Sequence, residues 1–65
     1  MKYRISRQVA WKKKKEIYAV YCNYNLLFFK GAAANYFASI LIGGFEDIPE
    51  DFLKYLLEKK IIYEI

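Results

Sequence analysis

Residues 17–29 read IYAVYCNYNLLFF and form the centre of the predicted fold. The first part, Ile17–Cys22, is rich in β-branched and aromatic residues, and a second apolar run fills Leu26–Phe29. Runs of this composition are typical of β-strands. Asn23 and Asn25 lie between them, and asparagine tolerates the left-handed backbone geometry of a tight turn. The segment therefore predicts a β-hairpin.

A further strand is predicted before this hairpin. Val9–Trp11 is again β-branched and aromatic, and only the charged run Lys12–Glu16 separates it from Ile17. The charged run is either a solvated hairpin loop or a continuation of the strand that places lysine side chains on an exposed edge. In both cases the three apolar runs predict a three-stranded antiparallel meander.

The residues after Gly31 predict a first helix. Ala32–Ala34 are strong helix formers. Apolar residues then recur at helical spacing until Gly43–Gly44 ends the pattern. These apolar residues are Ala33, Phe37, Ile40 and Leu41.

A second helix is predicted to begin near Pro49. Asp47 is expected as its N-cap and Pro49 is expected in the first turn. The side chain of Glu50 is expected to accept a hydrogen bond from the backbone N–H of Asp47, which completes a capping box. Asp51 adds negative charge at this end, and Lys59–Lys60 are expected in the last turn, where cations suit the helix dipole. The apolar stripe of this helix is Phe52, Leu53, Leu56 and Leu57.

The final residues, Ile61–Ile65, are too β-branched to extend the second helix and are expected as a short extended tail packed on the domain. The order of elements predicts one α+β domain over residues 1–65, a three-stranded antiparallel sheet followed by two helices that cover one of its faces.

The composition argues against an enzyme. The chain has no histidine and a single cysteine, so it offers no zinc, haem or iron–sulfur site and no disulfide. Ser6 and Ser39 have no histidine to activate them, and Cys22 lies in an apolar strand where a buried thiol is inert. We therefore expect no catalytic residue, no metal and no cofactor. The acidic residues near Pro49 suit helix capping better than acid–base chemistry.

Charge is distributed unevenly along the chain. Residues 1–30 contain eight lysines and arginines against Glu16 alone, whereas residues 31–65 contain three lysines against six acidic residues. No apolar stretch follows the basic start, and the longest uncharged run, Gly31–Phe45, is too short to span a bilayer. We therefore expect a cytoplasmic protein without a membrane partner.

The lysine run Lys12–Lys15 allows a nucleic-acid interpretation, because phosphate contacts and base stacking could combine there. Strand alternation, however, places only half of these lysines on any one face. We therefore favour a solvated edge that resists strand pairing over a nucleic-acid contact, and we do not expect nucleic acid as a partner. The aromatic residues near the run are Trp11, Tyr18, Tyr21 and Tyr24.

The run Leu26–Phe29 is expected at a sheet edge, where a guest strand could be added. Alternation predicts that Leu27 and Phe29 enter the core while Leu26 and Phe28 occupy the other face. As an alternative, Leu26 and Phe28 pack across the sheet on Tyr18 or Val20. Pairing of the same edge with a second copy of the chain is a further possibility.

Two segments of the chain resemble a known family. Tyr3–Lys12, YRISRQVAWK, is similar to the opening of the PqqD-like proteins, or RiPP recognition elements, in which an I-S-x-x-V-A-W-[RK] segment forms the first strand. Phe29–Phe37, FKGAAANYF, resembles the L-x-G-x-x-A-x-I-W pattern at the start of the family's first helix. The segments and the meander between them cover more than half of the chain.

The resemblance implies a small winged-helix-like domain that acts as a peptide chaperone. Such domains bind the leader segment of a ribosomally synthesised precursor peptide by strand addition and serve a separate maturation enzyme, such as a radical SAM enzyme or a leader peptidase. Carried onto this chain, the edge strand is Asn25–Lys30 and the cleft wall is a helix over Glu50–Lys60. The implied peptide-binding residues are Asn25, Leu26, Leu27, Phe28, Phe29, Lys30, Leu53, Lys54, Leu57 and Lys60.

Two further expectations accompany this assignment. Leu56 is expected in the core rather than in the cleft. The family has an additional helix before the cleft helix, but only Phe45–Ile48 separate Gly44 from Pro49, so this middle helix is expected to be missing. The alternative function is a small basic winged-helix-like protein that binds nucleic acid.

Overall fold

The computed structural model describes residues 2–65. The elements are β1 (Tyr3–Ile5), β2 (Ala10–Lys14), β3 (Ile17–Cys22), β4 (Asn25–Phe29), α1 (Ala32–Leu41), α2 (Glu50–Glu58) and β5 (Ile62–Glu64). The central sheet has the strand order β2-β3-β4 and is antiparallel throughout. The predicted α+β class, with a three-stranded meander followed by two helices, is confirmed.

Two-residue turns fix the register of the central sheet. Lys14 lies opposite Ile17, and Cys22 lies opposite Asn25. The second turn consists of Asn23 and Tyr24, which have φ angles of 50° and 65°. Positive φ at both central residues is typical of a type I′ turn, whose backbone twist matches the twist of the two strands it connects. The prediction that Asn25 belongs to this turn was wrong, because Asn25 is already the first residue of β4. The lysine run continues β2 as far as Lys14, which confirms the exposed-strand alternative.

The expected extended tail is a strand with a partner. β5 pairs antiparallel with β1, so that Tyr3 lies opposite Glu64 and Ile5 lies opposite Ile62. The N–H of Ser6 also donates to the carbonyl of Ile61 at 2.8 Å. Because the chain turns between β1 and β2, the single first strand that the family resemblance implied is divided into two strands that belong to different sheets.

The core lies between the two helices and one face of the central sheet. Phe37 of α1 is fully buried at its centre. The rings of Tyr18 and Phe29 approach the Phe37 ring with centroid distances of 5.2 and 5.3 Å. The other buried apolar residues are Val20, Cys22, Ala34, Ile40, Ile48, Leu56, Ile61 and Ile62. Of the predicted helix stripes, Phe37, Ile40 and Leu56 are buried in the core, which also contains Ala34 and the start of the tail. The remaining stripe residues are partly buried against it: Ala33, Leu41, Phe52, Leu53 and Leu57.

Gly43–Gly44 ends α1 as predicted. Gly43 has φ = 85°, a value that glycine adopts without steric cost. Its N–H donates to the carbonyl of Ile40, and the N–H of Gly44 donates to that of Ser39. These two bonds form a Schellman motif, which satisfies carbonyls that the helix end would otherwise leave unpaired.

The predicted N-cap of α2 was wrong. Pro49, not Asp47, is the N-cap, and no side chain provides a capping bond. Ile48 is buried in the core and Pro49 is extended, with ψ = 141°, so the helix begins only at Glu50. Glu50 therefore returns no capping bond, although it supplies negative charge in the first turn. Within residues 2–65, only turns and loops connect α1 to α2, as the short spacing predicted.

The predicted C-terminus of α2 was also wrong. The helix ends at Glu58, with Lys59 as C-cap, so Lys59–Lys60 are outside its last turn. Lys60 has φ = 61°. Its N–H donates to the carbonyl of Leu57, and the N–H of Ile61 donates to that of Leu56. This is a second Schellman motif, with lysine at the position that usually holds glycine.

Lys60→Gly is expected to raise the free energy of unfolding by about 0.5–1 kcal/mol, because glycine adopts left-handed geometry without the steric penalty of a side chain. Urea denaturation followed by circular dichroism measures this change. Lys59→Gly is the matched control and should lower stability, because Lys59 has right-handed geometry with φ = −83°. Equal effects of the two substitutions would contradict the left-handed cap.

Candidate peptide-binding edge

β4 is an open edge of the central sheet. Within residues 2–65 it pairs on one side only, with β3. Its sequence, NLLFF, carries no charge. The opposite edge is β2, which contains Lys12–Lys14, and charged side chains oppose the addition of another strand. Of the two edges, β4 is therefore the better site for a guest strand.

The register determines which backbone groups of β4 face this open edge. The tight turn makes Cys22 and Asn25 a hydrogen-bonded pair, and such pairs alternate with non-hydrogen-bonded pairs along an antiparallel ladder. Leu26 and Phe28 therefore belong to non-hydrogen-bonded pairs. Their N–H and C=O groups point away from β3, toward the open edge, whereas those of Leu27 face β3.

The side chains of β4 alternate as the sequence predicted. Phe29 is buried and Leu27 is partly buried against the helices, whereas Leu26 and Phe28 are 58% and 64% exposed on the other side of the sheet. Packing of Leu26 and Phe28 on Tyr18 or Val20 was a wrong alternative. Leu26 and Phe28 lie opposite Tyr21 and Ala19, and Tyr18 and Val20 are buried on the helix-facing side.

Helix α2 places an aromatic surface beside β4. The ring of Phe29 lies 5.4 Å from that of Phe52 and 6.5 Å from that of Tyr55, measured between centroids. The rings of Phe52 and Tyr55 are stacked at an interplanar angle of 21°. We call these three residues the aromatic wall. The sequence interpretation included Phe52 as a core residue and missed Tyr55, although the spacing of three residues places both on one helix face.

β4 and α2 run in opposite directions along this site. Phe29 at the end of β4 contacts Phe52 near the start of α2. At the other end, the thiol of Cys22 donates to the carbonyl of Lys60 at 3.4 Å. The predicted cleft helix therefore contacts β4 at Phe29 and approaches the end of β3 at Cys22. Its helical part is Glu50–Glu58, and Lys60 follows the helix.

The predicted side chains of α2 occupy different environments. Leu56 is fully buried, as expected for a core residue, and Leu53 and Leu57 are partly buried. Lys54 is exposed. Leu57 and Lys60 line an open hollow of about 420 Å³ close to the β3–β4 turn, together with Ser6, Gln8, Asn23, Ile62, Tyr63 and Glu64. Leu57 lies in the last turn of α2, two residues after Tyr55, and Lys60 lies beyond the end of the helix, so this hollow is at the C-terminal end of α2.

Cys22 has no features of a nucleophile. Its side chain is buried, and burial raises the pKa of the thiol because the charged thiolate is poorly solvated there. The thiol therefore remains protonated at neutral pH, as the sequence interpretation of a structural cysteine requires.

The lysine run and the nearby aromatic residues are divided between the two sides of the central sheet. The Nζ of Lys13 lies 5.5 Å from the centre of the Tyr18 ring, and the Trp11 ring contacts the same tyrosine at 5.6 Å on the helix-facing side. Lys12 and Lys14 lie opposite Ala19 and Ile17 on the other side. The nucleic-acid interpretation grouped these lysines and aromatic residues on one surface, and that grouping was wrong.

None of the helices in residues 2–65 has the length and apolar character needed to cross a membrane. In the same part of the chain, His, Cys, Asp and Glu residues do not assemble in groups of three or more that could hold a metal ion. Comparisons of the chain with models of protein families, with curated proteins and with solved structures find no match. The resemblance to RiPP recognition elements accordingly stays a prediction that rests on the segments Tyr3–Lys12 and Phe29–Phe37.

Proposed function

We propose that this chain is a non-catalytic adaptor that binds an extended peptide by strand addition to β4. The observation that carries the proposal is an uncharged, open strand edge next to the aromatic wall. Because of the resemblance to RiPP recognition elements, we propose the leader segment of a ribosomally synthesised precursor peptide as the ligand.

In this proposal the peptide backbone supplies most of the affinity. The N–H and C=O groups of Leu26 and Phe28 bond to the guest strand, which becomes a fourth strand of the sheet. Successive side chains of the guest point to opposite faces. One set therefore meets the aromatic wall, and the other set lies beside the exposed side chains of Leu26 and Phe28. Exposed Lys30 and Lys54 favour acidic residues in the guest.

The adaptor would present the remainder of the precursor to a separate maturation enzyme, such as a radical SAM enzyme or a leader peptidase. Holding the leader raises the effective concentration of substrate at the enzyme without any chemistry by the adaptor itself. We propose the cytoplasm, where precursor peptides are synthesised, as its location. The single, unpaired Cys22 suits a reducing compartment.

The experiment combines a titration with amide exchange. Fluorescein-labelled peptides that span the leaders of short precursor genes beside the gene for this chain are titrated with the domain, and fluorescence polarisation reports binding. For the tightest peptide, NMR then compares hydrogen exchange with and without ligand. Exchange at the amides of Leu26 and Phe28 should slow on binding, because these groups are open to water in the free domain.

The amides of Leu27 and Phe29 serve as internal controls, because β3 already bonds them in the free domain. Their exchange should change much less than that of Leu26 and Phe28. Absence of binding by every leader peptide would overturn the proposed ligand. Binding without slower exchange at Leu26 and Phe28 would overturn strand addition at β4.

A further inference from the structure

The side of the central sheet that faces away from the helices carries large exposed side chains. The register aligns Lys12, Ala19 and Phe28 in one row across the three strands, and Tyr21 lies beside Leu26 in the next row. Tyr21 is 47% exposed, and Phe28 is more exposed still. We call this side the outer face, and it consists of Ala10, Lys12, Lys14, Ile17, Ala19, Tyr21, Leu26 and Phe28.

The outer face contains a hollow with an apolar floor and a cationic rim. Ala19 is small, so the larger side chains of Ile17 and Phe28 stand above it. The open hollow has a volume of about 440 Å³, within the range of ligand-binding sites, and its rim is formed by Lys12, Lys14 and Lys15. A ligand that is complementary to this hollow has flat apolar groups that contact the floor and negative charges that pair with the lysines of the rim.

A second copy of the chain does not fit this description. A two-fold interface buries the same patch of both copies. If the two outer faces met, Lys12, Lys14 and Lys15 of both copies would lie in or beside one interface with no acidic residue on either outer face to pair with them, and charged residues are depleted from the buried centre of such interfaces. The positive rim therefore favours a different, anionic occupant.

The aromatic residues identify the kind of anionic occupant. Tyr21 and Phe28 lie on neighbouring strands at diagonal positions, where side chains are separated by about 7–8 Å. Exposed rings on a sheet, with lysines along one side, provide stacking for unpaired bases and contacts for phosphates. In a duplex the base faces are already stacked on one another. We propose that the outer face binds single-stranded nucleic acid, with bases on Tyr21 and Phe28 and phosphates at Lys12, Lys14 and Lys15.

This inference is independent of the proposed peptide adaptor. The peptide would bond to the backbone edge of β4 and contact the aromatic wall and the side chains of Leu26 and Phe28, whereas the nucleic acid would cover the outer face, so the two sites share Phe28. Tyr21, Lys12 and Lys14 do not belong to the peptide site. Substitutions at these three residues therefore test the outer face alone.

The lysine run offers a matched test, because its members alternate between faces. Binding of a fluorescein-labelled oligothymidylate of about 15 nucleotides is measured by fluorescence anisotropy at several salt concentrations. Lys12→Ser and Lys14→Ser should each weaken binding about fivefold in 0.1 M salt, because each phosphate contact contributes a salt slope of about −0.7. Lys13→Ser removes the same charge from the helix-facing side and should change the affinity less than twofold.

A second matched pair tests base stacking. Tyr21→Ser should weaken binding of the oligothymidylate by about tenfold or more. Tyr24→Ser is the control, because Tyr24 is 92% exposed in the β3–β4 turn rather than on the outer face. Circular dichroism of each variant checks that the fold is intact.

Several outcomes would overturn the inference. They are equal losses for Lys12→Ser and Lys13→Ser, equal affinity for duplex DNA, and no binding of the oligothymidylate by the unsubstituted chain. Binding to vesicles that contain phosphatidylglycerol, without binding to the oligothymidylate, would assign the outer face to anionic membranes instead.

Discussion

Phe28→Pro is expected to weaken leader-peptide binding by about ten- to a hundredfold while the domain stays folded. The N–H of Phe28 points toward the open edge of β4, so its removal costs no hydrogen bond of the free domain. A bound peptide, however, loses the partner of one carbonyl, and an unsatisfied group of this kind costs about 1–3 kcal/mol. Fluorescence polarisation measures the affinity, and circular dichroism monitors the fold.

Two further substitutions separate the contribution of the β4 backbone to peptide affinity from the contribution of the Phe28 side chain. Phe28→Ala keeps the N–H and should weaken peptide binding only a few-fold. Leu27→Pro removes an N–H that bonds to β3 and places proline within a paired strand, so it should destabilise the hairpin itself. If Phe28→Pro bound peptide as well as Phe28→Ala does, backbone addition at β4 would be refuted.

Phe37→Ala is expected to have the largest effect on stability. Phe37 is fully buried between Tyr18 and Phe29, and truncation of a buried phenylalanine to alanine costs about 3–5 kcal/mol. A domain of this size has a total stability of about 3–10 kcal/mol. Much of the population should therefore be unfolded at room temperature. The urea midpoint, followed by circular dichroism, measures the loss.

Ile42→Ala is the control for the same region of the chain. Ile42 follows α1 directly and is 88% exposed, so its truncation should change stability by no more than about 0.5 kcal/mol. A midpoint for Phe37→Ala close to that of Ile42→Ala would show that the core is not centred on Phe37.

The local patterns of the sequence predicted the central elements well. The hairpin over residues 17–29 and the first helix were identified because each has a continuous apolar pattern and turn residues at its ends. Alternation along Leu26–Phe29 also assigned the correct pair of side chains to the core. These features are determined by residues that are close in sequence, so the local sequence pattern is sufficient to predict them.

Features that depend on distant partners could not be predicted in the same way. β1 has only three residues, and its partner β5 is at the other end of the chain, so neither segment has a distinctive pattern of its own. Asp47 has the residue type of a helix cap, but it lies in a turn, Ile48 is buried in the core and Pro49 is extended, so the helix begins only at Glu50. The aromatic wall likewise required knowledge of how α2 lies against β4.

The candidate site was predicted in part. The sequence interpretation proposed an edge strand over Asn25–Lys30, whereas β4 ends at Phe29, so Lys30 lies outside the strand. The ring of Phe29 contacts Phe52 and Tyr55 of α2, but the binding role of these residues stays a prediction. Tyr55 was missed because its partial exposure results from the position of α2. Lys60 was assigned to the helix because lysine is common in last turns, whereas the left-handed cap places it beyond the helix end.

The pairing of β1 with β5 also affects how this domain can be combined with other proteins. Because Tyr3 and Glu64 lie side by side, the polypeptide enters and leaves the folded unit at one place. A unit with this geometry can be inserted into a surface loop of a larger protein without separating the two ends of that loop. The domain is thus suited to genetic fusion by insertion, with its open strand edge carried as a fixed attachment point on the host.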